Sequence, residues 1–467
     1  IPTGSAPATY GYVIDVRSRG VTLAEHGVSV DVVPIDLPYR ALRAFAFYEP
    51  GTIERRFREP AVVERKLVQT LHAHGLDSVT HIIDPADVQR LRGSLDGSWF
   101  TDAADYRGPG VGVPTSIAPL GCYGMLGDPA PEKIANVRDL MAAMPPVEDV
   151  FLYAVDEQCA SPRGPGWRDL LRDAKVSLRV GHTCHEPPQH QRVDLVMMPA
   201  QAFDPDSAAE ARALGKKVWI YNGQLPFSGA PALDVPVTSL TVNGWIASVF
   251  DVDRWFYWET IFWNDGNRGG QGPRDVFQSA ETFHNADGDT SLYDGLLLFP
   301  GRMAEGSDLE RDEVFPSLRL KALRRGLEDG ALLALAAEVD SRATYAISRR
   351  IVGRALDEVR ATDATDLDLR PEAFASARAE LRALILRSEK RPTGDAASVA
   401  AGLEELRSLR RYERSRTGVG ARPGELARAV VAFFLPLGLL LFGWAAVAIL
   451  DERRRRLESK RMARRSR

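Results

Sequence analysis

Between Leu42 and Trp258 the chain alternates short apolar, β-branched or aromatic runs with longer stretches whose apolar residues recur every three or four positions. The first kind marks buried strands and the second amphipathic helices. Eight runs read as strands: Leu42–Tyr48, Ser78–Ile83, Gly112–Leu120, Val150–Val155, Val176–Val180, Val193–Met198, Lys217–Tyr221 and Trp255–Trp258. Helical stretches lie between them at Ala61–His74, Pro131–Met144, Trp167–Asp173, Asp206–Leu214 and Thr238–Val249, and Ser317–Ala337 reads as a last helix. This alternation predicts an α/β fold, a (β/α)8 TIM-like barrel. An open doubly wound sheet is disfavoured because no Gly-rich dinucleotide fingerprint follows the first strand.

The pattern changes at both ends of this region. Tyr10–Val16 and Val28–Val33 alternate as short strands and predict an N-terminal β segment over residues 1–35. The barrel is expected over 36–340 and a helical region over 341–415, with charged amphipathic helices at Arg342–Val359 and Pro371–Lys390 and a further one to about Arg414. This region reads as a solvated spacer, and the Gly-containing stretch 416–428 as a flexible tether. Ala429–Leu450, 22 residues without a charge, predicts one C-terminal transmembrane helix. Nine Lys/Arg in the following 17 residues, against four Arg in the 17 preceding it, predict a basic cytoplasmic tail over 451–467. The localisation that follows is a single-pass membrane protein with an exoplasmic barrel; without a removed signal peptide it becomes a tail-anchored protein facing the cytosol.

At 467 residues and 45% hydrophobic content, the chain can fill a large core. Net charge is −4, but the basic tail masks an acidic body: residues 1–450 hold 50 Lys/Arg against 60 Asp/Glu. An acidic body excludes nucleic acid as the expected partner. The three cysteines, Cys122, Cys159 and Cys184, are too few for a disulfide scaffold and lack paired ligand spacing, so no metal and no cofactor are expected. They follow three successive strands. Free buried thiols are the leading expectation, with a Cys159–Cys184 bridge across the rim as the alternative in an oxidising compartment.

Candidate chemistry centres on Asp149–Cys159, where an apolar strand ends in the adjacent carboxylates Asp156 and Glu157. At the C-terminal lip of a barrel strand such a pair stands where catalytic groups sit. The plainer alternative is a helix start, with Asp156 as N-cap and Glu157 complementing the dipole. Tyr221 and Asn222 end the seventh strand, Trp258 ends the eighth and Trp263 lies in the loop after it; these four are candidates for stacking on and bonding to a small ligand. Trp219, Trp245 and Trp255 suit core packing equally well. His182 and His185, after the fifth strand, suit a polar rim better than a metal pair.

Six segments then carry a family resemblance: Lys217–Asn222, Asn243–Ala247, Trp255–Glu259, Ile261–Trp263, Asp294–Gly301 and Pro316–Asp329. In order and spacing they resemble the catalytic domain of family-123 glycoside hydrolases, once called domain of unknown function 4091, over roughly residues 36–340. The resemblance implies a retaining β-N-acetylhexosaminidase, of N-acetylgalactosaminidase type, in which the substrate's own 2-acetamido group is the nucleophile. It places Asp156 as the residue that orients the acetamide and stabilises the oxazolinium ion, and Glu157 as general acid/base. The implied partner is a glycan bearing N-acetylhexosamine, and the competing function class is a catalytically silent carbohydrate-binding or envelope-structural barrel. Three positions depart from the family pattern: Gln158 where Pro is common, Gly223 where Cys is common, and Asn243 where Arg is frequent. The last is expected to alter a substrate contact.

Overall fold

The computed structural model describes residues 5–265, 272–273, 276–284, 290–302, 310–389 and 391–417. Its first element is an antiparallel hairpin of β1 (Ala8–Ser18) and β2 (Val21–Val32). Arg19 and Gly20 turn it with φ of 47° and 79°, the pair of left-handed residues that a two-residue hairpin loop needs. Register puts Tyr12 opposite Val28 and Val16 opposite Ala24 on one face, and Asp15 opposite Glu25 on the other. The N-terminal β segment is thus an amphipathic hairpin whose apolar side is exposed.

Eight parallel strands follow: β3 (Ala44–Phe47), β4 (Asp77–Val79), β5 (Ile117–Leu120), β6 (Asp149–Val155), β7 (Arg179–Thr183), β8 (Leu195–Pro199), β9 (Lys217–Tyr221) and β10 (Trp255–Tyr257). Their order is β4-β3-β10-β9-β8-β7-β6-β5, and a parallel bridge from Ile82 to Leu120 brings the two outer strands together, so the sheet closes as a (β/α)8 barrel. All eight strands coincide with apolar runs in the sequence, trimmed or shifted by a few residues at their ends.

Strand alternation divides the core in two. Phe45, Phe47, Phe151, Tyr153, Trp219 and Phe256 point into the barrel, where Phe45 stacks on Phe256 at 4.6 Å and Trp219 meets Phe151 edge-on at 5.4 Å. Their neighbours, such as Ala46, Leu152, Val196 and Ile220, face the helical layer. Helices Pro60–Ala73, Pro85–Arg90, Lys133–Ala143, Arg163–Asp173, Pro205–Ala213, Ser239–Val249 and Leu318–Ile351 follow their strands; after β7 there is only a 3-10 turn at Pro188–His190. Two of these helices touch backbone to backbone. A Cβ on Gly244 would lie 1.9 Å from the Gly326 carbonyl, so glycine is required where Ser239–Val249 crosses Leu318–Ile351.

Hairpins Glu281–His284/Thr290–Leu292 and Leu298–Arg302/Glu310–Pro316 occupy the excursion between β10 and the last barrel helix. That helix breaks at Asp340, whose carboxylate accepts from the Ala343 amide at 2.9 Å, so the predicted gap between Ala337 and Arg342 is a kink.

Two sequence expectations need correction. The helices after the barrel are not a solvated spacer up to Arg411. Arg378 on helix Pro371–Arg387 forks onto Asp329 with two bonds of 2.7 Å, Leu406 is fully buried, and Gly402 seats against the Ala334 carbonyl. Residues 412–417 continue the helix Ala396–Thr417. The transmembrane helix, and with it the single-pass membrane localisation, is not supported: among the described residues no helix is long and apolar enough to cross a membrane. Ala429–Leu450, the tether beyond residue 417 and the tail 451–467 lie outside the described residues.

Candidate active site

The acid pair leaves the barrel through a local break in regular strand geometry. The β6–β7 register shifts between Tyr153 and Val155, and Glu157 takes a left-handed φ of 51°. A bulge followed by a left-handed residue re-aims side chains that would otherwise point to opposite faces, so both carboxylates emerge exposed on the C-terminal rim. The turn continues to Ser161, and helix Arg163–Asp173 starts with Pro162 at its N-cap. Asp156 therefore does not cap that helix.

Each carboxylate is held through one oxygen by neutral donors. Asp156 Oδ1 accepts from the Tyr153 hydroxyl and from the Thr183 hydroxyl, both at 2.8 Å. Thr183 Oγ1 in turn accepts from the Glu157 amide at 2.6 Å, coupling the end of β7 to the acid pair. Glu157 Oε1 accepts from the Tyr221 hydroxyl at 2.8 Å. Burial, reinforced by the facing carboxylates, pushes the Tyr153 and Tyr221 phenols well above their ordinary range, so both remain protonated donors.

A cleft of about 870 Å³ opens over Glu157, lined among others by His185, Tyr221, Asn222, Asp234 and Asp294. Asn222, at φ 54°, accepts from the Trp258 amide at 3.1 Å through its side chain. The Trp258 indole donates to Asp294 Oδ1 at 2.9 Å and lies edge-on to Phe283 at 5.5 Å. Burial raises the Asp294 carboxyl above its usual range. Tyr123, 40% exposed, leans on Phe47 and Tyr153 and donates to the Trp258 carbonyl at 2.8 Å.

Of the residues singled out from the sequence, Asp156, Glu157, Tyr221, Asn222 and Trp258 come together on one rim. Trp263 does not: it is fully buried, edge-on to Phe57, with its indole donating to the Leu298 carbonyl at 2.8 Å. His185 reaches the cleft, whereas His182 faces outward, buried near Gly164 and Val193. Two of the three departures from the family pattern, Gly223 and Asn243, acquire structural reasons. A Cβ at Gly223 would lie 1.9 Å from the Gly229 carbonyl, and Asn243 is buried, bonding Gly229 and the Tyr257 hydroxyl, which removes it from any substrate contact.

Cys159 and Cys184 form a disulfide with Cα atoms 5.0 Å apart, correcting the expectation of free thiols; Cys122 stays free and buried. Among the described residues one set with metal-like spacing occurs, Cys159, Cys184 and Glu186, and its sulfurs are spent in that bridge. Sequence reasoning missed Tyr153, Thr183, Tyr123 and Asp294. The first two stand at the inward positions of their strands, a signal that alternation carries; Tyr123 and Asp294 arrive on loops whose course no local pattern reveals.

No protein-family model and no curated protein matches the sequence. Among solved structures, a family 123 glycoside hydrolase from Clostridium perfringens, described for glycolipid glycan hydrolysis, shares the fold. Its TM-score is 0.51 at 13% sequence identity, covering 89% of this chain and 78% of that one. The likeness shows the fold; the chemistry has to be argued from this chain's own residues.

Proposed function

We propose that the protein is a retaining glycoside hydrolase that removes terminal β-linked N-acetylhexosamine, N-acetylgalactosamine foremost, by substrate-assisted catalysis. The observation that carries this reading is the acid pair itself: two adjacent exposed carboxylates, each oriented by neutral donors through one oxygen, which leaves the other oxygen for substrate. Asp156 Oδ2 accepts the acetamide N–H and favours attack of the acetamide oxygen on C1; its charge then stabilises the oxazolinium ion. Glu157 protonates the departing glycosidic oxygen and afterwards takes a proton from water. Trp258 offers an apolar face to the ring, and Asn222 and Asp294 offer polar groups to its hydroxyls.

A double-displacement enzyme would need a second carboxylate as nucleophile about 5 Å across the bond. The two rivals legible in the sequence are otherwise engaged. Asp84 caps helix Pro85–Arg90, accepting from the Ala86 and Asp87 amides. Glu259 is buried and folds back onto the Thr260 and Ile261 amides at 2.7 and 2.9 Å, and burial pushes its pKa up to about 8. With these two engaged, we assign the nucleophile to the substrate's own acetamide.

The test is a panel of chromogenic glycosides. β-N-acetylhexosaminides should be turned over, while plain β-galactosides and β-glucosides are not, because removing the acetamide removes an intramolecular attack with a large effective molarity. An oxazoline-mimicking thiazoline should bind far more tightly than substrate. Efficient cleavage of an unsubstituted galactoside, or a covalent glycosyl ester on Glu259, would reject the mechanism. Glycolipid glycans, the substrates described for the structural neighbour, are the natural class to try next.

A further inference from the structure

A second cleft, of about 630 Å³, opens at the opposite end of the barrel, between the segment leading into β3 and helix Ala396–Thr417. Its charged lining is Arg40, Arg43, Lys217, Arg254 and Arg407 against Asp149 and Asp253. Both carboxylates are already met by cations. Asp253 is engaged by Arg212 at 3.0 Å, and Asp149 by Arg254 at 2.9 Å, by Lys217 and by Arg179 at 3.5 Å. Arg40 and Arg43 pair with Asp77 and Glu148, neither of which lines the cleft.

Arg407 is less closely met: the charges of Asp251, Asp253 and Glu404 act on it without an ion pair among the described residues. Its bonds run to the carbonyls of Ala247 and Val252 at 3.2 and 3.0 Å, and its Nε is buried without a partner. The Nε of Arg40 is orphaned in the same way. A partly buried guanidinium with a donor unspent gains from a further counter-charge, and burial draws the Arg407 pKa down. Apolar side chains, among them Leu42, Val252, Val399 and Leu403, also line it.

We infer that this floor cleft binds a small organic anion of the size of a monosaccharide phosphate, with Arg407 and Arg43 holding the anionic group and the apolar wall holding its carbon frame. The volume suits one such ligand, and guanidinium groups are the side chains best matched to phosphate-type oxygens. The site is separate from the rim chemistry and stands whether or not the glycosidase reading does.

Calorimetric titration of the whole chain with glucose 6-phosphate, inorganic phosphate and glucose, at ionic strength matched with chloride, tests it. Glucose 6-phosphate should bind saturably at one site per chain, more tightly than phosphate, and glucose should not bind. Arg407→Gln and the half-exposed, easily tolerated Arg43→Gln should each weaken binding tenfold or more, while Glu157→Gln leaves it unchanged. Absence of saturable binding, equal affinity for phosphate and the sugar phosphate, or unchanged affinity in a folded Arg43→Gln protein would overturn the proposal. Loss of binding in Glu157→Gln would do the same, by moving the anion to the rim.

Discussion

The two ends of the barrel treat carboxylates in opposite ways. On the N-terminal floor, Asp77 and Asp149 are nearly inaccessible and are met by cations: Arg254 reaches Asp149 at 2.9 Å and Asp77 at 3.6 Å, Lys217 bonds Asp149, and Arg40 meets Asp77 at 2.7 Å. Burial raises the Asp149 carboxyl, but Lys217 and Arg254 outweigh it and hold the group below its ordinary range. On the C-terminal rim, Asp156, Glu157 and Asp294 accept from tyrosine, threonine and tryptophan donors, and none is within ion-pair reach of Lys or Arg among the described residues. A cation fixes a carboxylate as a permanent charge and makes it scaffold; neutral donors fix its direction and leave its charge free to respond to a ligand. One end is fixed as scaffold, and the other keeps the freedom that the proposed chemistry needs.

That contrast is broken most sharply by exchanging consequences between the ends. Glu157→Gln and Asp156→Asn should each lower kcat/KM for an N-acetylhexosaminide by about a thousandfold or more while leaving the melting temperature nearly unchanged, since general acid catalysis and charge stabilisation each contribute on this order. Glu157→Gln should spare activated aryl leaving groups relative to alkyl ones; Asp156→Asn should not. Equal losses on both leaving groups in Glu157→Gln would remove that residue from the role of acid.

Asp149→Ala should do the reverse. Removing one partner from a buried cluster strands Arg254 and Lys217, a loss of about 3–5 kcal/mol in stability, with KM and kcat of the folded fraction little changed. Chemical denaturation and steady-state kinetics on the same sample separate the two. A large kinetic effect with normal stability would mean that the floor communicates with the rim.

A smaller effect is expected where the rim's donors are trimmed. Tyr221→Phe removes one hydrogen bond to the Glu157 carboxylate, and Thr183→Val removes one to Asp156 together with the bond from the Glu157 amide. A bond to a charged group is worth about 1.5 kcal/mol or more, so kcat should fall roughly tenfold with KM nearly constant. An effect as large as that of Glu157→Gln would promote the hydroxyl from orienting group to participant.

The same contrast governs what the sequence makes legible. The barrel can be read because its strands are near-continuous apolar runs buried on both faces, and the acid pair can be read because two charges at the end of such a run mark the point where a buried strand reaches the rim. The hydroxyls that hold the pair do not stand out: Tyr153 and Thr183 look like ordinary inward strand residues until β6 and β7 are set side by side. Trp263 misleads because a tryptophan in a loop after a strand is as compatible with a sugar platform as with the core, and only the Leu298 carbonyl settles it. The helices beyond the barrel read as a spacer because their charged faces dominate the composition; Gly402 and Leu406, which dock the last one, are too sparse to set a period. The fate of Cys159 and Cys184 depends on the separation of two rim loops, which no local pattern encodes.

The smallest effect at neutral pH isolates scaffold from site within a single strand. Thr183 and His182 are consecutive on β7; one points to Asp156 and the other into the helical layer, where both ring nitrogens of His182 are buried without a partner. Burial pulls the His182 pKa down to about 4, and burial likewise pulls His72 to about 3 and His74 to about 4. A histidine whose folded pKa lies below its unfolded value of about 6.5 binds protons more readily in the unfolded chain. Its contribution to stability is therefore complete above about pH 6.5 and is lost as pH falls towards 4. His182→Leu should leave stability at pH 7.5 within about 1 kcal/mol of the parent, since an unpaired buried polar group is replaced by an apolar one. It should also flatten the loss of stability between about pH 6.5 and 4, with kinetics at neutral pH intact. Thr183→Val should show the complementary pattern, slower turnover and unaltered acid sensitivity. If His182→Leu slowed catalysis as Thr183→Val does, the division of β7 into an inward reactive face and an outward structural one would be wrong.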